Sequence, residues 1–193
     1  MPSRDPDHLL AALGRVLRAV DGEERRAFGK AICEAKTVYA IGAGRSGLVA
    51  RAFAMRLAHL GLRVHVVGDV TAPAIGVGDL LVAISGSGST ESVLSIARRA
   101  IAAGARLALV TGAVFAPLTQ AAALRVLLPP TMPSAGAAAP NPAAGPDVPA
   151  LLQPMRTLFE QASLLLLDLV VLDLMAERGT TAAEMERRHA NLE

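Results

Sequence analysis

The chain has 193 residues and a formal net charge of +2, and its 52% hydrophobic and 19% charged residues exclude an intrinsically disordered protein and fit one globular domain. Aromatic residues make up only 3% and the basic residues are scattered, so little can stack on nucleobases and we expect no nucleic-acid partner. The single cysteine, Cys33, excludes an intramolecular disulfide and the paired cysteines of a zinc site.

The sequence has no segment typical of membrane insertion or export. The first seven residues are polar and lack the apolar core of a signal peptide. The apolar stretch at 164–167 is interrupted by Asp168, and no segment reaches the roughly 20 apolar residues that span a bilayer. We therefore expect a cytoplasmic protein with no membrane partner.

The first two thirds of the chain alternate between short apolar runs and helical patterns. Two helices with apolar residues at spacings of three and four are predicted at 7–20 and 23–35. Five strands are then predicted, at Thr37–Ile41, Val64–Val67, Leu80–Ile84, Arg106–Val110 and Leu124–Leu128, with helices at 46–60 and 89–103 and a proline-containing loop at 68–78. This alternation predicts an α/β fold, a three-layer sandwich with a five-stranded parallel sheet flanked by helices.

The last third differs in composition. Residues 129–150 are rich in Pro, Ala and Gly, which favours a mobile loop. The stretch 155–178 has one long helical pattern that is apolar on most faces, so we expect it to be buried against the sheet or another subunit. A short helix is predicted at 181–189. We expect one compact domain overall, with N-terminal helices in 1–35 packed on a domain of residues 36–193.

A glycine-rich loop follows the first predicted strand. Its sequence, Gly42-Ala43-Gly44-Arg45-Ser46-Gly47, matches the Gly-x-Gly-x-x-Gly motif of dinucleotide-binding proteins. No acidic residue ends the second strand, however, because Asp69 lies beyond Gly68. The loop also lacks the Gly-Lys-Ser/Thr of nucleoside triphosphate sites. A nucleotide is therefore the less favoured ligand of this loop.

A second loop, Ser85-Gly86-Ser87-Gly88-Ser89-Thr90-Glu91, follows the third predicted strand. Its glycines allow an anion to approach the backbone, its hydroxyls can donate to phosphate oxygens, and a helix that begins near Ser89 adds free N–H groups. The alternative is a flexible turn in which Ser89 or Thr90 caps the helix. Its place between a buried strand and a helix favours phosphate binding, which requires no metal.

The two loops together resemble the SIS (sugar isomerase) domain, and further motifs narrow the resemblance to the 6-phospho-3-hexuloisomerases. These motifs are Ala54-Met55-Arg56-Leu57-Ala58-His59-Leu60-Gly61, Thr71-Ala72-Pro73, Gly78-Asp79-Leu80-Leu81, Gln153-Pro154-Met155-Arg156-Thr157-Leu158-Phe159-Glu160-Gln161 and the tail Arg188-His189-Ala190-Asn191-Leu192-Glu193. The resemblance extends from about residue 36 to the end. The chain departs from the family at Arg156, where glycine is usual.

This resemblance implies an enzyme that interconverts D-arabino-hex-3-ulose 6-phosphate and D-fructose 6-phosphate through a cis-enediol. The reaction is the second step of formaldehyde fixation in the ribulose monophosphate pathway. It implies a homotetramer, no cofactor, a phosphorylated sugar as substrate, and functional coupling with 3-hexulose-6-phosphate synthase.

Two residues are candidates for the chemistry. Glu160, near the start of the long helix, is the candidate general base. Without the resemblance, a solvated acid favoured by the helix dipole is the simpler interpretation. His189 is the candidate proton shuttle between the sugar oxygens, since family tails reach an active site across a subunit boundary; an ordinary surface histidine is the alternative. The expected substrate-binding residues are Gly42, Arg45, Ser46, Ser85, Gly86, Ser87, Gly88, Ser89 and Thr90. The four histidines have no spacing that fits a metal site, and we expect no metal.

Two other functions remain open at this point. An arabinose 5-phosphate isomerase of the same superfamily usually has a lysine after the helix arginine, whereas Ala52 follows Arg51 here. A sugar-phosphate sensor without catalysis usually adds a DNA-binding helix-turn-helix domain, for which residues 1–35 are too short and insufficiently basic. Convergence of Glu160 and His189 near the serine-rich loop would distinguish an enzyme from a sensor.

Overall fold

The computed structural model of the protein describes residues 5–129 and 157–192. In chain order its elements are α1 (Pro6–Arg18), α2 (Gly22–Glu34), β1 (Val38–Gly42), α3 (Arg45–His59), β2 (Val64–Val66), β3 (Leu80–Ile84), α4 (Glu91–Ala102), β4 (Arg106–Thr111), α5 (Pro117–Ala121), β5 (Leu124–Leu127), α6 (Thr157–Arg178) and α7 (Ala182–Glu186). Nearly all of the predicted mobile loop, and Arg156, lie outside the described residues. The short helix α5 was not predicted, whereas the short helix predicted at 181–189 is present as α7.

The first two helices begin at aspartate caps. Asp5 accepts a hydrogen bond from the Asp7 amide at 3.0 Å, and Pro6 at the first helical position lacks an N–H that would need a partner. Asp21 accepts from the amide of Glu23 at 2.7 Å. The Asp21-Gly22 boundary of the sequence therefore marks where one helix has ended and the next begins.

The sheet has five parallel strands in the order β2-β1-β3-β4-β5, so the predicted α/β architecture is confirmed. The chain leaves β1 towards β2 on one side and leaves β3 towards β4 on the other. A crevice therefore opens between the carboxyl ends of these two neighbouring strands, which is where ligands bind in open α/β sheets. Gly42 at the end of β1 pairs with Ile84 at the end of β3, so the loops after both strands start at the same level.

The two faces of the sheet contact different helices. One face packs against residues of α1, α2, α3 and α6, and the other against α4 and α5. Successive residues of β1 alternate between the two cores, with Ala40 on the first and Tyr39 and Ile41 on the second, as strand geometry requires. Phe28 and Ile32 of α2 are fully buried in the first core, so the N-terminal helices share it with the sheet. No helix in the described ranges has the length and hydropathy to cross a membrane.

Candidate active site

The loop after β1 turns tightly into α3. A Cβ atom at Gly42 would lie 2.5 Å from the Ser46 carbonyl oxygen, so only glycine permits this close approach. Gly44 has a φ of +56° and stands at the N-cap position, where it has no side chain to cap the helix. Arg45 and Ser46 are therefore the first residues of α3, and the start of this helix is open to a ligand at the crevice.

The loop after β3 gathers three hydroxyl groups. The Ser85 side chain is buried, and its Oγ lies 3.1 Å from Thr90 Oγ1. Ser87 Oγ lies 3.4 Å from the same Thr90 oxygen and accepts a hydrogen bond from the amide of exposed Ser89 at 3.3 Å. Thr90 occupies the N-cap position of α4, but its hydroxyl points to the serines and does not cap the helix. Hydroxyls beside the uncapped start of a 12-residue helix form an anion-binding arrangement.

The start of α6 packs directly on this loop. A Cβ atom at Gly86 would lie 2.9 Å from Cδ1 of Phe159, so the ring occupies the space that any other residue would need. Phe159 is 3% exposed, and its carbonyl accepts a hydrogen bond from Ser163 Oγ at 2.8 Å. The sequence motif that contains Phe159 thus joins the long helix to the serine-rich loop.

A further segment, residues 112–119, packs against the serine-rich loop. The sequence analysis did not identify it. The Leu118 amide donates to the Gly88 carbonyl at 2.9 Å, and a Cβ atom at Gly88 would lie 2.6 Å from the Ala116 Cβ. Thr119 Oγ1 donates to the Ala113 carbonyl at 2.9 Å, which closes the segment on itself. Its position after the fourth strand, at the same sheet edge, was the signal that could have identified it.

Glu160 follows Phe159 in the first turn of α6 and points back to the first loop. The Nε atom of Arg45 donates a hydrogen bond to Glu160 Oε2. The Glu160 side chain is only 13% exposed, whereas that of Arg45 is 58% exposed. The crevice between β1 and β3 therefore brings together a nearly buried carboxylate, a guanidinium and the hydroxyl-rich loop.

His189 lies elsewhere in the same chain. Its ring centroid is 5.1 Å from that of buried His59, and Arg188 Nη1 donates to the His59 carbonyl at 3.1 Å. His59 ends α3 and Arg45 begins it, and 15 helical residues span about 21 Å. One chain thus brings Glu160 to the serine-rich loop but leaves His189 near the opposite end of α3.

Comparisons with known proteins identify the family of the chain. The SIS domain matches residues 31–141. The chain belongs to the SIS-domain family. It is 41% identical to the 3-hexulose-6-phosphate isomerase of Mycobacterium gastri over 174 residues, which cover 90% of this chain and 82% of that protein. The Bacillus subtilis 3-hexulose-6-phosphate isomerase is 35% identical over 176 residues, covering 90% and 89% of the two chains.

A solved structure supports the same relationship. A hypothetical protein from Methanococcus jannaschii, whose crystal structure led to an inferred function of 3-hexulose-6-phosphate isomerase, superposes with a TM-score of 0.79. The two are 30% identical, and the match covers 97% of this chain and 98% of that one. The resemblance to 6-phospho-3-hexuloisomerases, another name for the same enzymes, is therefore confirmed.

Proposed function

We propose that this chain is a 6-phospho-3-hexuloisomerase that interconverts D-arabino-hex-3-ulose 6-phosphate and D-fructose 6-phosphate without a cofactor. The observation that carries the proposal is the position of Glu160 at the β1/β3 crevice. This carboxylate is nearly buried, pairs with Arg45 of the first loop and directly follows Phe159, whose ring packs on Gly86 of the hydroxyl-rich loop. An anion site beside a base is what isomerisation of a phosphosugar requires. The named relatives, which match most of the chain, support the choice of sugar.

The reaction moves a carbonyl group from C3 to C2. A base removes the proton from C2 and leaves an enediol between C2 and C3, and return of a proton to C3 completes the exchange. The hydroxyl proton of O2 must be lost while O3 gains one. Glu160 is the group that transfers the carbon-bound proton, and an imidazole serves the oxygens because it can donate and accept at neutral pH.

The substrate phosphate binds to the serine-rich loop. Ser85, Ser87 and Thr90 supply hydroxyl donors, and Ser89 and the first amides of α4 supply backbone N–H groups. Gly86 and Gly88 allow the phosphate to approach the backbone closely. The first loop closes the other side of the crevice, where Gly42 and Ser46 contact the sugar and Arg45 pairs with Glu160.

The imidazole is His189 of a neighbouring subunit in a homotetramer. The separation of His189 from Glu160 within one chain supports this arrangement, since the shuttle must come from elsewhere. Apolar side chains exposed on adjacent helices support association: Leu48 and Met55 on α3 are 67% and 46% exposed, and Leu172 on α6 is 58% exposed. The enzyme acts in the cytoplasm, coupled with the synthase of the ribulose monophosphate pathway.

The direct test is isomerase activity of the purified protein without added metal or nucleotide. Hexulose 6-phosphate is made in situ from formaldehyde and ribulose 5-phosphate by a separate synthase, and fructose 6-phosphate is monitored. We expect turnover that is unaffected by a chelator. Turnover of arabinose 5-phosphate instead would assign a different isomerase, and binding of the phosphosugar without turnover would assign a sensor.

A further inference from the structure

We propose that Arg45 is a positioning residue for the base Glu160 and does not bind the substrate phosphate. The inference rests on the proposed function, since it concerns how that site works. It assigns to Arg45 a role distinct from the one that its place in a glycine-rich, phosphate-type loop would indicate.

The contact itself joins two distant parts of the chain. Arg45 is the first residue of α3 and Glu160 lies in the first turn of α6, 115 positions later. Arg45 donates from Nε to Oε2, which leaves Oε1 of the carboxylate to receive the substrate proton. A guanidinium is planar and always charged, so it restrains the direction of a carboxylate as well as its position.

The side chains of Glu160 and Arg45 differ in how far each is exposed and restrained. Glu160 is 13% exposed and sits directly after Phe159, whose ring is locked against Gly86. Arg45 is 58% exposed, but its backbone is held by the tight approach of Gly42 to Ser46. The carboxylate is thus held between the start of α6, which packs on the serine-rich loop, and a guanidinium on the facing loop. Such restraint matters because proton transfer depends on placement of the base within a fraction of an ångström.

The phosphate already has donors that do not involve Arg45. The hydroxyls of Ser85, Ser87 and Thr90 cluster at the start of α4, which has no side-chain cap. A phosphate bound there receives hydroxyl and backbone donors together with the helix dipole. Arg45 is therefore free to serve the base.

The test is the separation of kcat from KM in Arg45→Met. We expect kcat to fall about 10- to 100-fold with KM changed by less than about twofold, because the loss affects the transition state and not substrate binding. Arg45→Lys, which keeps the charge but not the planar Nε donor, should be intermediate. In a Glu160→Gln background, Arg45→Met should cause almost no further loss, since both changes act on one unit.

The matched control is Arg51→Met. Arg51 lies on the same helix, is 56% exposed, and pairs with Asp69 at 3.2 Å. Loss of a surface ion pair should leave both kinetic constants unchanged. Thermal unfolding of each variant shows whether a lower kcat comes from lost folding.

Calorimetry with fructose 6-phosphate gives a second readout that does not depend on turnover. Arg45→Met should keep the wild-type Kd, whereas Ser87→Ala should weaken it. A tenfold weaker Kd or higher KM in Arg45→Met, or unchanged kcat, overturns the positioning role. A wild-type protein that binds the sugar phosphate without turnover instead overturns the proposed function, and the Kd of Arg45→Met still decides whether Arg45 binds substrate.

Discussion

The two ends of helix α3 carry the two halves of one proposed reaction. At its first residue, Arg45 contacts Glu160 beside the serine-rich loop. At its last residue, His59 contacts His189 of the C-terminal tail. The first end brings together the proposed base, a cation and the proposed anion site from three separate segments. The second end has two imidazoles and no comparable hydroxyl-rich loop among the described residues.

The difference shows which parts of a site one chain can complete. Loops that follow neighbouring parallel strands must meet at one sheet edge, so the topology of a single chain forms the region proposed for the base and the phosphate. The tail is held to its own chain through Arg188 and the His59 ring, yet it lies about a helix length from the carboxylate. The proposed reaction therefore requires a second subunit to bring the two halves together.

The largest effect should come from Glu160→Gln. The amide keeps the shape of the side chain but cannot take up a proton, so kcat should fall about 10²- to 10⁴-fold. Steady-state kinetics at saturating hexulose 6-phosphate measure this loss, with Glu177→Gln, an exposed acid near the end of the same helix, as the control. Full turnover by Glu160→Gln would show that Glu160, at the first end of α3, is not the base of the reaction.

The second effect, about 10²-fold in kcat, is expected for His189→Gln. If His189 acts in a neighbouring site, mixed oligomers of Glu160→Gln and His189→Gln subunits contain sites in which both groups are intact. Co-expression with two different tags and purification of the mixed species should then restore part of the activity. Two inactive parents that stay inactive when mixed would place both residues in one chain's site and contradict the shared arrangement.

A smaller effect, in affinity, is expected for Ser87→Ala. Removal of one hydroxyl donor should raise KM about tenfold with little change in kcat, because substrate and transition state share the phosphate. Ser95→Ala, on the following helix but outside the hydroxyl cluster, is the control. A loss confined to kcat would mean that the loop contacts the reacting carbons and not the phosphate.

The sequence was sufficient for the sheet and for the two glycine-containing loops at its edge. Buried aliphatic runs separated by glycine-rich turns have few arrangements other than a parallel sheet, and the turns at Gly42 and Ser85 follow strands that the structure pairs side by side. The sequence could not predict the Arg45–Glu160 contact, since nothing local links residues 115 positions apart. Nor could it place His189 beside His59, because tail docking depends on packing at the end of a helix.

The role of Thr90 also needed the structure. Its place before α4 is typical of an N-cap, and its backbone does occupy that position. Its hydroxyl instead bonds to Ser85 and Ser87, a choice that depends on how the loop folds back after β3. Local propensity therefore identified the residue but not the direction of its side chain.

The smallest expected effect concerns the second end of α3 and its response to acid. Burial, together with the nearby charges of His189 and Arg56, lowers the pKa of His59, while Glu186 acts in the opposite direction. Arg188 also lies beside it, and its guanidinium donates to the His59 carbonyl. His59 is therefore neutral in the folded protein at pH values where the unfolded chain already binds a proton.

The lower pKa of His59 in the folded state determines how the free energy of unfolding changes with pH. As the pH falls below the ordinary histidine value of about 6.5, the unfolded state takes up the proton first, so the free energy of unfolding decreases until the lower folded-state pKa is passed. Above the ordinary histidine value, His59 is neutral in both states and the free energy of unfolding does not depend on its protonation. His59→Phe keeps a ring against His189 but cannot be protonated, so its unfolding midpoint in urea should decrease less than that of the wild type between pH 7.5 and pH 5. The midpoints at pH 7.5 give the effect of the substitution itself, and parallel decreases at lower pH would show that the contact between the tail and α3 does not depend on a neutral His59.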